Sequence, residues 1–251
     1  MLNRMTQKYE RQIAREIARA MNAGATAVRS GRNIQTIEAE HERRMTAILQ
    51  SLWMESATQM AEHMLGSERA WHGLIERKQV ADVSATEVID RVMIAWMAQV
   101  GGEKIKQITR TTVTDIRGIV SRGITDGLSE RDIAAQIAAV APTKSASRAQ
   151  TIARTETHSA SAFSAQSSAE ATGLTLVKVW VSARGERTRS LAEGAEFGHA
   201  EADGQRRLLN EPFNIPTLDG GSEAIMYPGD FMGSAGNVIN CRCVAAYEMA
   251  D

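Results

Sequence analysis

The stretch "LTLVKVWVSA", residues 174–183, marks the point at which the character of the sequence changes. It alternates between residue types and is rich in β-branched valine, which predicts a β-strand. Before it the apolar residues recur at helical spacing, whereas residues 184–237 are rich in glycine and lack a long periodic stretch. "VINCRCVAAY", residues 238–247, predicts a further strand. The predicted fold class is therefore α+β, with a predominantly helical N-terminal two-thirds and a small C-terminal α+β module.

We divide the chain into a helical region at 1–127, a helical connector at 128–173 and the C-terminal module at 174–251. Hydrophobic residues make up 43% of the chain but aromatic residues only 4%, a mixture that suits helices packed on helices. The first helix is expected to be loosened by Gly24 and Gly31, and helices are predicted at 34–65 and 68–80. A Ser84–Glu87 capping box opens a long helix, with a break or kink expected at Gly101–Gly102. Two further helices are predicted, from Ser129 to Pro142 and from Ser145 to Thr172, the last closed by Gly173.

Charge balance excludes a global attraction to nucleic acid or to a membrane surface, because 29 basic residues face 30 acidic ones. No apolar run approaches the length of about 18 residues that a membrane span needs, so we predict no membrane association. A local basic stripe does occur on the first helix, opposite an apolar stripe of Leu2, Met5, Tyr9, Ile13, Ile17 and Ala20. The basic residues are Arg4, Lys8, Arg11, Arg15 and Arg19. They could contact phosphates or an acidic protein groove, or form only a solvated surface.

The two cysteines of the chain, Cys241 and Cys243, are separated by one arginine. On a strand their thiols would point to one face, where a disulfide between them would be strained. Two thiolates can share a zinc ion with further ligands, and we predict His199 and Asp203, spaced i, i+4 in "HAEADGQ", as those ligands. The alternative is two half-buried cysteines with His199 bonded to a backbone carbonyl. A catalytic Cys241–His199 pair is disfavoured, because no nucleophile turn or oxyanion loop accompanies it.

A carboxylate is expected on the buried face of the helix that contains "IARTETHSASAF", residues 152–163. Glu156 shares one stripe with Ile152 and Phe163, and a buried charge must be paired. Arg187 and Arg189, just after the predicted strand, are natural partners. We therefore expect an ion-paired joint near Arg154 and Glu156 that ties this helix to the module. A catalytic acid at Glu156 is the alternative.

An ordered series of motifs resembles the phage Mu F-like head-morphogenesis proteins, which are minor head proteins of tailed phages and prophages. The series covers about residues 128–248 and comprises "IARTETHSASAFSAQSSAEATG", "VKVWVSA", "RTR", "HAEADGQ", "EPF", "YPGD" and "NVINCRCV". The family motif falls on Arg154, Thr155, Glu156, Trp180, Arg187, Arg189, His199, Asp203, Gly204, Phe213, Tyr227, Pro228, Gly229, Asp230, Asn240, Cys241, Arg242 and Cys243. By this resemblance, 174–251 is a Mu F-like module and 1–127 is the part that varies among relatives.

The chain departs from the family pattern in two places. Relatives usually carry an acidic residue about where Gly185 stands, and they bring the histidine close to the second arginine, whereas "SLAEGAEFG" intervenes here. A structural motif accommodates an inserted surface loop more easily than a tight catalytic cluster does. The insertion therefore favours a structural role.

The resemblance implies a minor head protein present in a few copies per particle. Its partners would be the portal protein and capsid or scaffold proteins, with packaged double-stranded DNA as a further partner. It would lie in the head interior or at the portal vertex, after assembly in the host cytoplasm, and would assist DNA packaging or delivery. We expect no enzymatic activity and no cofactor besides zinc. The alternative is a metal-dependent hydrolase in the capsid, with Glu201 or Glu156 as the general base.

Overall fold

The computed structural model describes residues 2–66 and 85–250, which contain six α-helices and five β-strands. Five of the helices precede the first strand, and the sixth lies between the fourth and fifth strands. The helices are α1 (Leu2–Arg29), α2 (Gln35–Gly66), α3 (Ala85–Trp96), α4 (Gly102–Thr125), α5 (Glu130–Ala171) and α6 (Ala235–Val238). The strands are β1 (Leu176–Val181), β2 (Arg206–Leu208), β3 (Phe213–Pro216), β4 (Ser222–Ile225) and β5 (Val244–Met249). The predicted α+β class is confirmed. The predicted helix at 68–80 and the Ser84 cap lie outside the described residues.

The chain divides into two compact units. The first unit is Met1–Leu52 with Trp96–Arg154, and the second unit is Trp53–Ala95 with Thr155–Asp251. Across the described helices, none combines the length and the apolarity that crossing a membrane requires.

Helix α1 buries one stripe and exposes the basic one. Met5, Tyr9, Ile13, Ile17 and Ala20 are buried, as their helical spacing predicts. The five predicted basic residues of this helix are exposed.

Gly24 does not loosen α1, contrary to the prediction. A Cβ atom at this position would lie 3.0 Å from Cδ1 of Ile116, so a side chain larger than hydrogen would crowd α4. The helix instead ends near Gly31, whose φ of +64° suits glycine.

The glycine pair at 101–102 does not interrupt the helical segment but lies at a local change of helix type. Residues Met97–Gly101 form a π-helical turn, and Trp96 and Gly102 on either side keep right-handed helical dihedral angles. A π-helical turn is one of the known causes of a helix kink.

Pro142 lies inside α5, so the prediction that a helix ends there is wrong. A proline in a helix interior removes one hydrogen bond and costs about 3 kcal/mol. The buried stripe nevertheless continues across it at i, i+4 spacing through Ile133, Ile137, Ala141, Ser145 and Ala149. Burial of this stripe outweighs the local cost of the proline.

A buried polar network lies among α1, α2, α4 and α5 in the first unit. The fully buried ring of His41 places Nδ1 3.1 Å from Oε1 of Glu16 and Nε2 3.2 Å from Oγ1 of Thr112. Arg148 donates to the same Thr112 oxygen at 2.7 Å and to the Ile108 carbonyl at 3.0 Å. Burial acts to raise the pKa of Glu16, but hydrogen bonds from His41 and Arg19 lower it overall. Because each polar group needs its own partner, the network restricts how these helices pack.

Strand β1 is the centre of a three-stranded antiparallel sheet with the order β2-β1-β5. Strands β3 and β4 form a separate antiparallel hairpin. One face of β1 is buried through Leu176, Lys178 and Trp180. One apolar cluster of the module is formed by Trp180, Phe197, Ala202, Phe213, Ile215, Ile225, Cys241 and Cys243. This core contains both cysteines.

Candidate metal centre

His199, Cys241 and Cys243 converge in the core of the C-terminal module. Nδ1 of His199 lies 3.7 Å from Sγ of Cys241 and 3.5 Å from Sγ of Cys243. The three potential ligand atoms lie within 4.8 Å of one another. The relative exposures of the residues are 1%, 1% and 2%, so the cluster is closed off from solvent. Its donor set of one imidazole and two thiols is suited to zinc.

The two cysteines lie at and just after a turn, and not on the predicted strand. Strand β5 begins only at Val244, after both cysteines. Asn240 adopts a φ of +59°, which asparagine tolerates better than most residues, and its N–H donates to Oγ1 of Thr155 at 3.0 Å. The Cys241 N–H donates to the Val238 carbonyl. This turn, rather than strand alternation, brings the two sulfur atoms to the same histidine nitrogen.

The orientation of His199 is fixed by a chain of hydrogen bonds. Nε2 of His199 lies 2.7 Å from Oδ1 of Asn237, whose Nδ2 donates to Oε2 of Glu223 at 2.9 Å. Since Glu223 accepts, the Asn237 amide must present its oxygen to His199, and Nε2 carries the proton. In the neutral ring, Nδ1 is then the nitrogen that carries the lone pair, and it faces the sulfurs. The indole N–H of Trp180 donates to the His199 carbonyl at 3.2 Å and holds the same turn.

The pKa values of the two thiols are shifted in opposite directions. The Cys241 thiol donates to Cys243 and lowers the pKa of Cys243, while burial opposes this shift. The hydrogen bond with Cys243 and burial together raise the pKa of Cys241. Cys243 is therefore the stronger anionic donor of the pair.

Asp203 does not join the cluster, so its prediction as a ligand is corrected. Its Oδ1 accepts from the Ser182 N–H at 2.7 Å, and its Oδ2 accepts from the Arg184 guanidinium at 2.8 and 3.1 Å. The Ser182 N–H lowers the pKa of Asp203, burial opposes this shift, and the Arg184 guanidinium lowers the pKa further. His199 and Asp203 lie in a succession of turns and not on a helix, so the i, i+4 spacing does not align them.

Glu156 is buried as predicted, but the predicted partners are wrong. Its Oε2 accepts from the indole N–H of Trp53 at 2.9 Å, a residue 103 positions earlier on α2. Arg187 is exposed in a turn, and the guanidinium of Arg189 donates to the Ile239 carbonyl. The joint within the second unit therefore connects α5 to α2. Ser164 reinforces it by donating to the Ala57 carbonyl at 2.8 Å.

The "YPGD" motif builds a buried turn against α5. Both carboxylate oxygens of Asp230 accept backbone N–H groups, from Met226 at 2.8 Å and from Met232 at 3.0 Å. Gly229 has a φ of +80° and lies directly against the ring of His158. Tyr227 is buried in the same turn. Of the remaining predicted motif residues, Trp180 is fully buried, Arg154 is half-buried on α5 and Arg242 is exposed.

Sequence reasoning missed two buried polar contributors. Asn237 orients His199, and only its position in "NVINCRC" could have suggested it. Lys178 shares the buried face of β1, and its Nζ donates to the carbonyls of Leu209 at 3.0 Å and Met226 at 2.7 Å. Burial lowers the pKa of Lys178 to about 8, although the carboxylate of Glu170 opposes the shift. Because side chains alternate along a strand, the sequence could have predicted that Lys178 lies on the same buried face of β1 as Trp180.

His158 is expected to make the second unit less stable in acid. Burial and the neighbouring His199 lower the pKa of His158 from 6.5 to about 4, against a hydrogen bond with the Pro228 backbone. The unfolded chain binds a proton that the folded chain does not, so the free energy of unfolding falls as the pH decreases from about 6.5 to about 4. The total loss is about 3 kcal/mol. Urea denaturation at a series of pH values measures it.

Replacement of His158 with glutamine should remove most of this pH dependence. The matched control is His63→Gln, because His63 is exposed on the last turn of α2. If His63→Gln reduced the pH dependence of the free energy of unfolding as much as His158→Gln does, that dependence could not be assigned to His158.

Comparison with protein families identifies one match. The family model described as "Phage Mu protein F like protein" matches residues 114–246 of this chain, more than half of its length. No curated protein and no solved structure gives a significant match. The matched range contains the His199–Cys241–Cys243 cluster, the Asp230 turn and Glu156.

Proposed function

The chain belongs to the Phage Mu protein F like family, a family of phage head proteins, and on this basis we propose that it is a minor head protein. In this proposal it associates with the portal and the inner shell during head assembly and assists DNA packaging or delivery. The observation that carries the proposal is the family match over residues 114–246, which covers the C-terminal module up to the first half of β5. The motif residues support it, because those that are buried make contacts that hold the fold together.

The geometry favours this structural role over the alternative of a metal-dependent hydrolase. A hydrolase needs a metal position that substrate can reach, whereas His199, Cys241 and Cys243 are each at most 2% exposed. Glu201 uses one carboxylate oxygen to accept from the Ser190 hydroxyl at 2.7 Å and the Leu191 N–H at 2.9 Å. Glu156 is buried against Trp53. Both proposed general bases therefore have structural contacts.

The exposed basic stripe of α1 is the surface we assign to partner contact in the head. Arg11 and Arg15 lie one helical turn apart on the exposed face, while Arg19 pairs with Glu16 at 3.0 Å and with Glu40 at 3.5 Å. The net charge of −1 means that any attraction to DNA or to an acidic portal surface must be local. A stripe on one helix supplies such a local attraction.

Purified heads from a producing culture are expected to contain this chain in a few copies per particle. Quantitative mass spectrometry of sedimented heads measures the copy number. The charge-reversed double variant Arg11→Glu, Arg15→Glu should reduce incorporation several-fold, because it reverses the exposed stripe without touching the buried face of α1.

The control is Lys106→Glu, Arg110→Glu, which makes the same charge change at the same spacing on the exposed face of α4. Absence of the wild-type chain from heads, with the protein free in the lysate, would exclude the minor-head proposal. Equal loss of incorporation in both double variants would exclude α1 as the specific contact surface.

A further inference from the structure

We propose that His199, Cys241 and Cys243 bind one zinc ion in a closed structural site, with Asn237 as the residue that positions His199. The site would fasten the turn that contains His199 to the segment that leads into β5. The inference does not depend on the proposed role in the head, because it rests only on contacts inside the module.

The observed distances match the coordination of zinc. With Zn–N of about 2.05 Å and Zn–S of about 2.3 Å, a tetrahedral angle separates a nitrogen and a sulfur ligand by about 3.6 Å. Nδ1 of His199 lies 3.7 Å from Sγ of Cys241 and 3.5 Å from Sγ of Cys243. Both separations agree with two edges of one tetrahedron. The side chains therefore already stand at ligand spacing.

The tautomer of His199 also points to a cation. Nε2–H is engaged with Asn237, which leaves Nδ1 with a single lone pair that faces two sulfur atoms. That lone pair is positioned to bind a metal ion together with both sulfurs. A ligating histidine whose other nitrogen donates to a fixed oxygen is the usual arrangement around protein-bound zinc. The Glu223–Asn237 pair supplies that fixed oxygen.

The surroundings identify the class of metal and its role. Imidazole with two thiolates is a soft donor set that selects zinc over magnesium or calcium. The sulfurs belong to the same apolar core as Trp180, Phe197 and Phe213, so substrate has no access to the site. Within the described residues no fourth histidine, cysteine or carboxylate joins the cluster.

A zinc ion that links His199 to the two cysteines would stabilise a segment with little regular secondary structure. His199 and Cys241 are 42 positions apart, and the chain between them contains only short strands and one short helix. A small module of this composition has limited apolar burial to offset the entropy of ordering its loops. Zinc bound to the folded chain but not to the unfolded chain would add its binding energy to the stability of the module.

Metal analysis of the full chain tests the inference. The protein is expressed with zinc in the medium and purified under reducing conditions without chelator, and inductively coupled plasma mass spectrometry should find one zinc per chain. Removal of zinc with a chelator should lower the thermal midpoint, and added Zn²⁺ should restore it. Titration of the stripped protein with Co²⁺ should produce thiolate-to-cobalt charge-transfer absorption that saturates at one equivalent.

Four variants separate ligands from neighbours. Cys243→Ser and His199→Gln should lose the bound zinc, whereas Asp203→Asn should keep one zinc per chain, because Asp203 contacts Ser182 and Arg184. Asn237→Ala should weaken zinc binding about 10- to 100-fold while the stoichiometry at saturation is unchanged. Wild-type protein that binds neither Zn²⁺ nor Co²⁺ under these conditions would overturn the inference, even if a ligand variant fails to fold. Loss of zinc from Asp203→Asn as complete as from Cys243→Ser would overturn the ligand set.

Discussion

Replacement of Gly229 with alanine is expected to lower the free energy of unfolding of the second unit by about 4 kcal/mol. Two costs combine at this position. The φ of +80° strains any residue that has a Cβ atom. That Cβ would also lie 2.5 Å from Cδ2 and 2.9 Å from Nε2 of His158. Neither α5 nor the buried Tyr227–Asp230 turn can move away without losing its own contacts.

Gly220→Ala is the control that separates the two costs. Gly220 has a φ of +87°, but a Cβ there would meet no atom within 4 Å. It should therefore lose only the conformational part, about 1–2 kcal/mol. Urea denaturation followed by tryptophan fluorescence compares the two variants with the wild type. Equal losses in both variants would show that the ring of His158 does not lie against Gly229 in solution.

Replacement of Asp230 with alanine should cost the second unit about 3–5 kcal/mol. Each hydrogen bond to a charged group contributes about 1.5–3 kcal/mol, and Asp230 accepts two backbone N–H groups in a site where it is 3% exposed. Without the carboxylate, the N–H groups of Met226 and Met232 lose their partner. Chemical denaturation of the purified variant measures the loss.

Asp219→Ala is the matched control for the effect of burial. Asp219 also organises a turn, accepting from the Thr217 hydroxyl at 2.5 Å and the Gly221 N–H at 3.1 Å, but it is exposed. Water replaces its hydrogen bonds when the side chain is removed, so stability should change little. If Asp230→Ala were as mild as this control, the turn would not depend on the buried carboxylate.

Elements whose signal is contained in adjacent residues were predictable from the sequence. The buried stripe of α1 and the strand β1 follow from apolar periodicity, and the structure confirms both. Pro142 shows the limit of local rules. Its propensity argues for a helix end, but a stripe that extends on both sides of the proline gains more from burial than the proline costs.

In the candidate site, too, residue types were predictable from the sequence, whereas contacts between distant segments were not. The residue types suggested His199, Cys241 and Cys243, and the structure brings these three together. Asp203 and the arginine partners of Glu156 were assigned by proximity in sequence, which a loop-rich segment does not preserve in space. The hydrogen bond from Trp53 to Glu156 depends on the packing of α2 on α5 within the second unit, and no spacing rule extends over 103 positions.

The pairing of β1 with β5 also has a consequence for the order of folding. Val181 pairs with Val244 and Leu176 with Met249, so the whole of residues 182–243 forms the loop that this ladder closes. The entropy of closing a loop must be lost before the ladder forms, and it slows non-local pairing more than it weakens the finished sheet. The β3–β4 hairpin joins Pro216 to Ser222 and closes only a short loop. We therefore expect the hairpin to form early during folding of the module and the central sheet to form late.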